Sequence, residues 1–305
     1  MHNIRNLTTT ANSATRSHAS RALGSDPPAV QWGLTLAAVG TIGILIVVPV
    51  VSVFYQALAD GLPAYWQNLV GDPDTLHSIL LTLCVAPVAV VANLVFGVAA
   101  AWAIARFKFP GRSLLTSIID LPFSVSPVVA GLMLVLLFGK QGYFGPWLRD
   151  HNTMIVFATP GLILATSFVT LPFVARELIP VMEAIGSEEE VAAISLGANG
   201  WQMFWRITVP NIKWGLLYGI ILCNARAMGE FGAVYVVSGH SGTDTMPLRV
   251  EKLFQEYNNP GSFALASLLT SLALVTLLIK VVLERKTRHE LAEVASLTAA
   301  PGEST

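Results

Sequence analysis

Residues 76–105 read LHSILLTLCVAPVAVVANLVFGVAAAWAIA, and residues 106–112 read RFKFPGR. The first stretch contains no Asp, Glu, Lys or Arg. Crossing the hydrocarbon core of a bilayer takes roughly 20 apolar residues in a helix, so the spacing predicts a spanning helix here. The second stretch packs Arg106, Lys108 and Arg112 into a short turn. Positive charge in short connections marks the cytoplasmic side.

Outward from this pair, five more stretches are long and apolar enough to span: about Gln31–Leu58, Ser113–Phe138, Thr153–Ala175, Trp214–Ser238 and Ser262–Leu283. The expected fold class is therefore all-α, a polytopic membrane protein of about six transmembrane helices. An even count leaves both termini on one side. Arg5, Arg16 and Arg21 precede the first span, and Lys280, Arg285, Lys286 and Arg288 close the last. The connection after the first span holds Asp60, Asp72 and Asp74 but no Lys or Arg. Both termini and the 106–112 turn are thus expected in the cytoplasm, in a multi-pass inner-membrane chain. Residues 1–30, polar and rich in Ser and Thr, read as a mobile tail. Residues 31–285 read as the membrane domain and 286–305 as a cytoplasmic C-terminal tail. The run from Gly33 to Tyr55 is too long for a cleaved signal segment.

Composition agrees. The chain is 53% hydrophobic and 12% charged, with mean hydropathy +0.62, where soluble domains carry about 25% charged residues. A net charge of −1 offers no footing for nucleic acid. Cys84 and Cys223 sit singly in apolar stretches and predict buried packing thiols, with no disulfide or metal cluster. No G-x-x-x-x-G-K-[ST] phosphate loop is present; Gly139-Lys140 lacks both the upstream Gly and the following Ser/Thr. The six His are scattered. No catalytic constellation, cofactor or metal is expected in this chain.

The connection 176–213 is the most structured. Ser187 followed by Glu190 reads as a capping box, and Glu188, Glu189 and Glu190 suit the positive end of a helix dipole. Gly197 stands where a left-handed C-terminal cap belongs. Asn199 and Gln202 read as a second capping pair, and Trp201, Phe204 and Trp205 share one face of the helix they open. Pro210 is expected to stop it. The product is a helix–Gly–helix elbow at about 185–210. By physics alone it fits an interfacial hairpin with anchored aromatics as well as it fits a docking element.

Ala192-Ala193, Gly197, Ile207 and Pro210 have the spacing of the EAA loop, so the chain resembles the permease subunits of ABC importers. Val191 stands where that motif has its Glu, and Val209 where Leu is common. The resemblance implies that the elbow seats on a separate ATPase, with Glu190 offering an acidic contact. The stretch Leu121–Gly131 resembles the third span of molybdate and sulfate permeases, and Ala225–Val234 their fifth. Val237-Ser238-Gly239-His240, Thr245–Leu248, Val250-Glu251 and Glu256-Tyr257 are closer to sulfate/thiosulfate permeases. The resemblance further implies a second homologous permease, two ATPase subunits using ATP and Mg, and an external sulfate-binding protein. A molybdate or tungstate homodimer and a stand-alone transporter or channel are the rival readings.

Two features lie within the membrane itself. Arg226 and Glu230 are one helical turn apart in the fifth span, where ionisable groups face the bundle interior or a wet cavity. They read either as a self-neutralising pair or as positive potential on an anion pathway. Pro122 and Pro127 bracket Ser124 and Ser126, so the third span should be bent or broken there. Broken helices expose backbone N–H groups able to stabilise an anion. Ser124 and Ser126 are therefore pathway candidates beside Arg226 and Glu230. Asp120 reads as a solvated or paired terminal residue, and Pro87, Pro160 and Pro172 as kinks.

Overall fold

In this computed structural model residues 28–298 are described, apart from 240 and 241; side chains are described over 30–285 with the same two exceptions. The tails expected at 1–30 and 286–305 lie outside the described residues, save that helices enter both at their edges. His240 is likewise outside. The chain divides into two units, 1–53 and 54–305. All of the first unit's described residues lie in α1 (Pro28–Ala57), an apolar helix with Pro49 inside it.

Among its described residues the second unit is built of helices joined by short connections, with no strand. Its elements are α2 (Leu62–Val70), α3 (Pro73–Arg106), α4 (Arg112–Ser124), α5 (Pro127–Phe138), α6 (Gly145–Asp150) and α7 (Thr159–Ile185). Then come α8 (Glu188–Ser195), α9 (Gly200–Met203), a π-turn (Phe204–Thr208), α10 (Val209–Met228), α11 (Gly232–Val237), α12 (Met246–Gln255) and α13 (Asn259–Thr298). Among the described residues four helices are long and apolar enough to cross a membrane: α1, α3, α7 and α13, with α4 and α5 a fifth span if the bent pair counts as one. The stretch expected as the fifth of six spans is α10 and α11, interrupted at Gly229. Asn211, Lys213, Asn224 and Arg226 lower the apolarity of α10.

The framework is α3, α7 and α10, which bury Ala86, Val90, Ala101, Val174, Leu178, Met182, Ile212 and Cys223 together. Small residues allow this close approach. A Cβ on Gly97 would lie 2.8 Å from the Val174 side chain, so α3 touches α7 almost backbone to side chain. One buried amide ties all three helices. Asn93 Nδ2 donates to the Ser167 carbonyl at 3.1 Å and to Thr170 Oγ1 at 2.7 Å, and Cys223 Sγ is 3.7 Å away. Cys223 is buried as expected, but Cys84 is exposed. It lies on the outer face of α3 with Leu80 and Leu83. The chain stays helical through Pro87 and Pro172, and Pro160 occupies the first turn of α7, where its missing N–H costs nothing.

The third span breaks as its prolines predict. α4 and α5 meet at 109° across Val125-Ser126. Pro127 disfavours the helical conformation at Ser126, which takes φ −59°, ψ 136°. Pro122 stays inside α4.

At the opposite end from the elbow, Asp72 caps α3. It accepts from the Thr75 hydroxyl at 2.6 Å and from Arg249 Nη2 on α12 at 2.7 Å. Met246 N donates to Thr82 Oγ1 at 2.7 Å, and Lys252 pairs with Asp244 at 2.7 Å. Partial burial works to raise the Asp72 carboxyl. The bonds from Thr75 and Arg249, the Arg249 charge and the Asp74 amide outweigh it and hold the group below its ordinary value. A depressed folded-state value means the stabilisation is present above the unfolded value and is lost as pH falls through the folded one. Thermal midpoints of the purified protein should therefore drop as pH falls below about 4, and Asp72→Asn should remove that component. Parallel curves for both proteins would show that Asp72 carries no such share.

Candidate functional site

The elbow forms where expected. Gly197 has φ +91°. Its N–H donates to the Ile194 carbonyl at 2.9 Å and Ala198 N–H to the Ala193 carbonyl at 3.0 Å, the paired bonds of a Schellman end. Asn199 and Gln202 make a reciprocal capping box. Helix α9 does not end at Pro210. The backbone passes through the π-turn directly into α10, with Val209 N–H bonded to the Phe204 carbonyl five residues back. The wider turn accommodates a proline in the first turn of α10 without breaking the chain's course.

The Ser187–Glu190 capping box is absent: Ser187 makes no side-chain cap. Glu190 is buried and turned toward the bundle. Arg106 Nε meets Glu190 Oε2 at 2.8 Å and Arg106 Nη2 meets Oε1 at 3.1 Å. Thr208 Oγ1 donates to Oε1 at 2.9 Å. The acidic contact expected at the surface is thus consumed inside, because a long-range guanidinium outcompetes the local amide. Ala193 is also buried, and Ile207 is partly so. Around its cap the elbow presents an apolar patch to solvent, with Glu188 and Glu189 exposed at the start of α8. Leu196, beside Gly197, is 89% exposed, and Val191 and Ile194 are each more than half exposed. Ala192, Gly197 and Pro210 are exposed with them. Trp201 and Trp205 lie edge to face at 5.6 Å on the next turn, and Phe204 packs on Trp102 of α3 at 5.6 Å.

The second cluster lies where the α4–α5 bend meets the interruption between α10 and α11. A Cβ on Gly131 would come within 2.8 Å of the Ala233 carbonyl, and one on Gly232 within 3.0 Å of Pro127. The two interruptions therefore pack on each other. Arg226 Nη1 and Glu230 Oε2 are 2.6 Å apart, an ion pair without hydrogen-bond alignment. The Glu230 side chain is 1% exposed and that of Arg226 34%. Glu230 Oε1 also accepts from Ala233 N at 3.1 Å, so its carboxylate caps α11. Ser124 and Ser126 flank the bend; Ser124 is exposed and Ser126 lies at the start of α5. Asp120 is paired with Arg176 at 2.8 Å, and that guanidinium lies over Phe123.

Sequence reasoning missed Arg106, Thr208 and Leu196. Arg106 was legible only as topology-setting charge. Thr208 carried no signal at all. Leu196 stood beside the cap glycine, and an apolar residue at a polar turn was the available clue.

Among the described residues the fold therefore combines spanning helices, one bent pair and a capped elbow between α7 and α10. Residues 93–289 match the family model of the binding-protein-dependent transport system inner membrane component, and the chain belongs to that family. It is 51% identical over 270 residues to the sulfate transport system permease protein CysW of Escherichia coli K12, covering 87% of this chain and 92% of that protein. It is 34% identical over 236 residues to the sulfate transport system permease protein CysT of the same strain, covering 77% and 85%. Among solved structures, a chain of a bacterial alginate ABC transporter, in complex with an alginate pentasaccharide-bound periplasmic protein, matches with TM-score 0.63 at 18% identity. That match covers 90% of this chain and 97% of that one, and it shows the fold.

Proposed function

We propose that this chain is a permease subunit of an ATP-driven importer of sulfate and thiosulfate. The observation that carries the reading is identity at about half of all positions, across most of both chains, with CysW. Likeness to CysT supports pairing with a second, homologous permease. Two ATPase subunits, with ATP and Mg, supply the work, and an external binding protein delivers the anion. Both termini and the elbow lie in the cytoplasm. The elbow seats on the ATPase through the exposed surface around Leu196, with Ala192, Ala193, Gly197, Ile207 and Pro210 setting its shape. Arg226, Ser124 and Ser126 line the anion's route near the paired breaks, and Glu230 holds Arg226 in place. Partial charges from backbone N–H groups suit a conduit that must release what it holds.

The test is uptake by the complex that co-purifies with this chain, reconstituted with its binding protein. ATP-dependent sulfate uptake, with molybdate a poor competitor, is expected. Uptake without the ATPase subunits, or a preference for molybdate, would sink the reading.

A further inference from the structure

We infer that the Arg106–Glu190 pair is a mechanical latch. It locks the elbow to the ends of α3 and α7 and, through Thr208, to the start of α10, so that elbow movement enters the bundle as movement of three helices together. This inference rests on the elbow being the seat of the ATPase.

The geometry is specific. Arg106 is the last residue of α3 and Glu190 lies in the first turn of α8. The guanidinium meets the carboxylate through two nitrogens, at 2.8 and 3.1 Å, and each side chain is only 9% exposed. The third nitrogen, Nη1, donates to the Met182 carbonyl of α7 at 2.8 Å. The carboxylate receives the Thr208 hydroxyl from the π-turn. Four elements thus converge on one pair of side chains. The cation stands at two helix C-termini and the anion at a helix N-terminus, each at the end of the dipole that favours it.

Fold stability alone does not explain such a pair. Buried ion pairs contribute little net stability compared with well-packed apolar residues of similar volume. What a forked, two-bond contact adds is direction: it fixes the angle between elbow and bundle, where an apolar contact can slide. The nearby Arg112–Glu183 pair makes the contrast, with side chains 40% and 46% exposed. A solvated pair of that kind holds little. Coupling between sites travels through elements that move as units, and the latch makes α3, α7, α8 and α10 such a unit.

The experiment uses the whole complex in liposomes with its binding protein, comparing wild type with the double variant Arg106→Met, Glu190→Met. That variant keeps the volume packed and removes the fork. Assembly, ATPase retention and basal hydrolysis should match wild type. Sulfate taken up per ATP hydrolysed should fall about tenfold. A purely structural role would lower the yield of complex and leave that ratio unchanged. A ratio within about twofold of wild type, in an assembled complex, would overturn the latch. Should the double variant not assemble, Thr208→Val decides, since it deletes one hydroxyl and no charge. A fall in the same ratio supports the latch and an unchanged ratio overturns it. Leu196→Glu serves as the separate control. If it retains the ATPase, the seat itself is wrong, whatever the latch variants do.

Discussion

Gly197→Val is expected to release the ATPase from a chain that still inserts and pairs. The glycine sits at φ +91°, and no atom lies within 4 Å of where a Cβ would project. Crowding is therefore not the obstacle; backbone conformation is. A β-branched residue in the left-handed region costs about 1–3 kcal/mol. Helices α8 and α9 are eight and four residues long, far below the length at which a helix supports itself. The strain falls on the weakest element of the bundle, and relieving it opens the two bonds that end α8. Leu196 would then point elsewhere. Gly197→Asn, which accepts the left-handed conformation more readily, should retain most function. Co-purification of the ATPase is the measurement. Full retention in the valine variant would mean that the elbow's shape is not what the ATPase reads.

The second large effect is expected at Arg226. Removing it as Arg226→Ala leaves the Glu230 carboxylate, 1% exposed, without its countercharge. Breaking one side of a buried pair costs about 3–5 kcal/mol, a large share of a typical stability of about 5–15 kcal/mol, so the yield of assembled protein should fall. The charge and the fold can be separated. In Arg226→Ala with Glu230→Gln, the amide oxygen still accepts from Ala233 N, no buried charge is stranded, and assembled protein should return. Uptake should not return with it, because the positive potential beside the paired breaks is gone. Recovery of both assembly and uptake would reduce Arg226 to a structural partner of Glu230. Failure to recover assembly would show that the guanidinium packs rather than neutralises.

Local features of the elbow could be read from the sequence, and features set by distant chain could not. Gly197 and the Asn199–Gln202 box are decided within a few residues of themselves, so residue type and spacing were enough. The break at Ser126-Pro127 is equally local, because proline restricts its own neighbour. Glu190 was misread for the opposite reason. Ser187 lies three residues away, but the group that captures the carboxylate comes from the end of another span. Pro210 was misread because a π-turn is a register shift that no residue type announces. The interruption at Gly229 was legible as well, because Gly229 and Gly232 flank Glu230 and allow a close helix approach or a kink. What spacing alone does not reveal is the bond from Ala233 N to the Glu230 carboxylate.

The latch also bears on the order in which the protein is made. Arg106 is synthesised 84 residues before Glu190, and Thr208 comes later still. Until then the guanidinium has neither the Glu190 carboxylate nor, through it, the Thr208 hydroxyl to engage. Only when the start of α10 has been laid down can all four contacts close. The surface around Leu196 therefore takes its final orientation last, after the spans on which it rests.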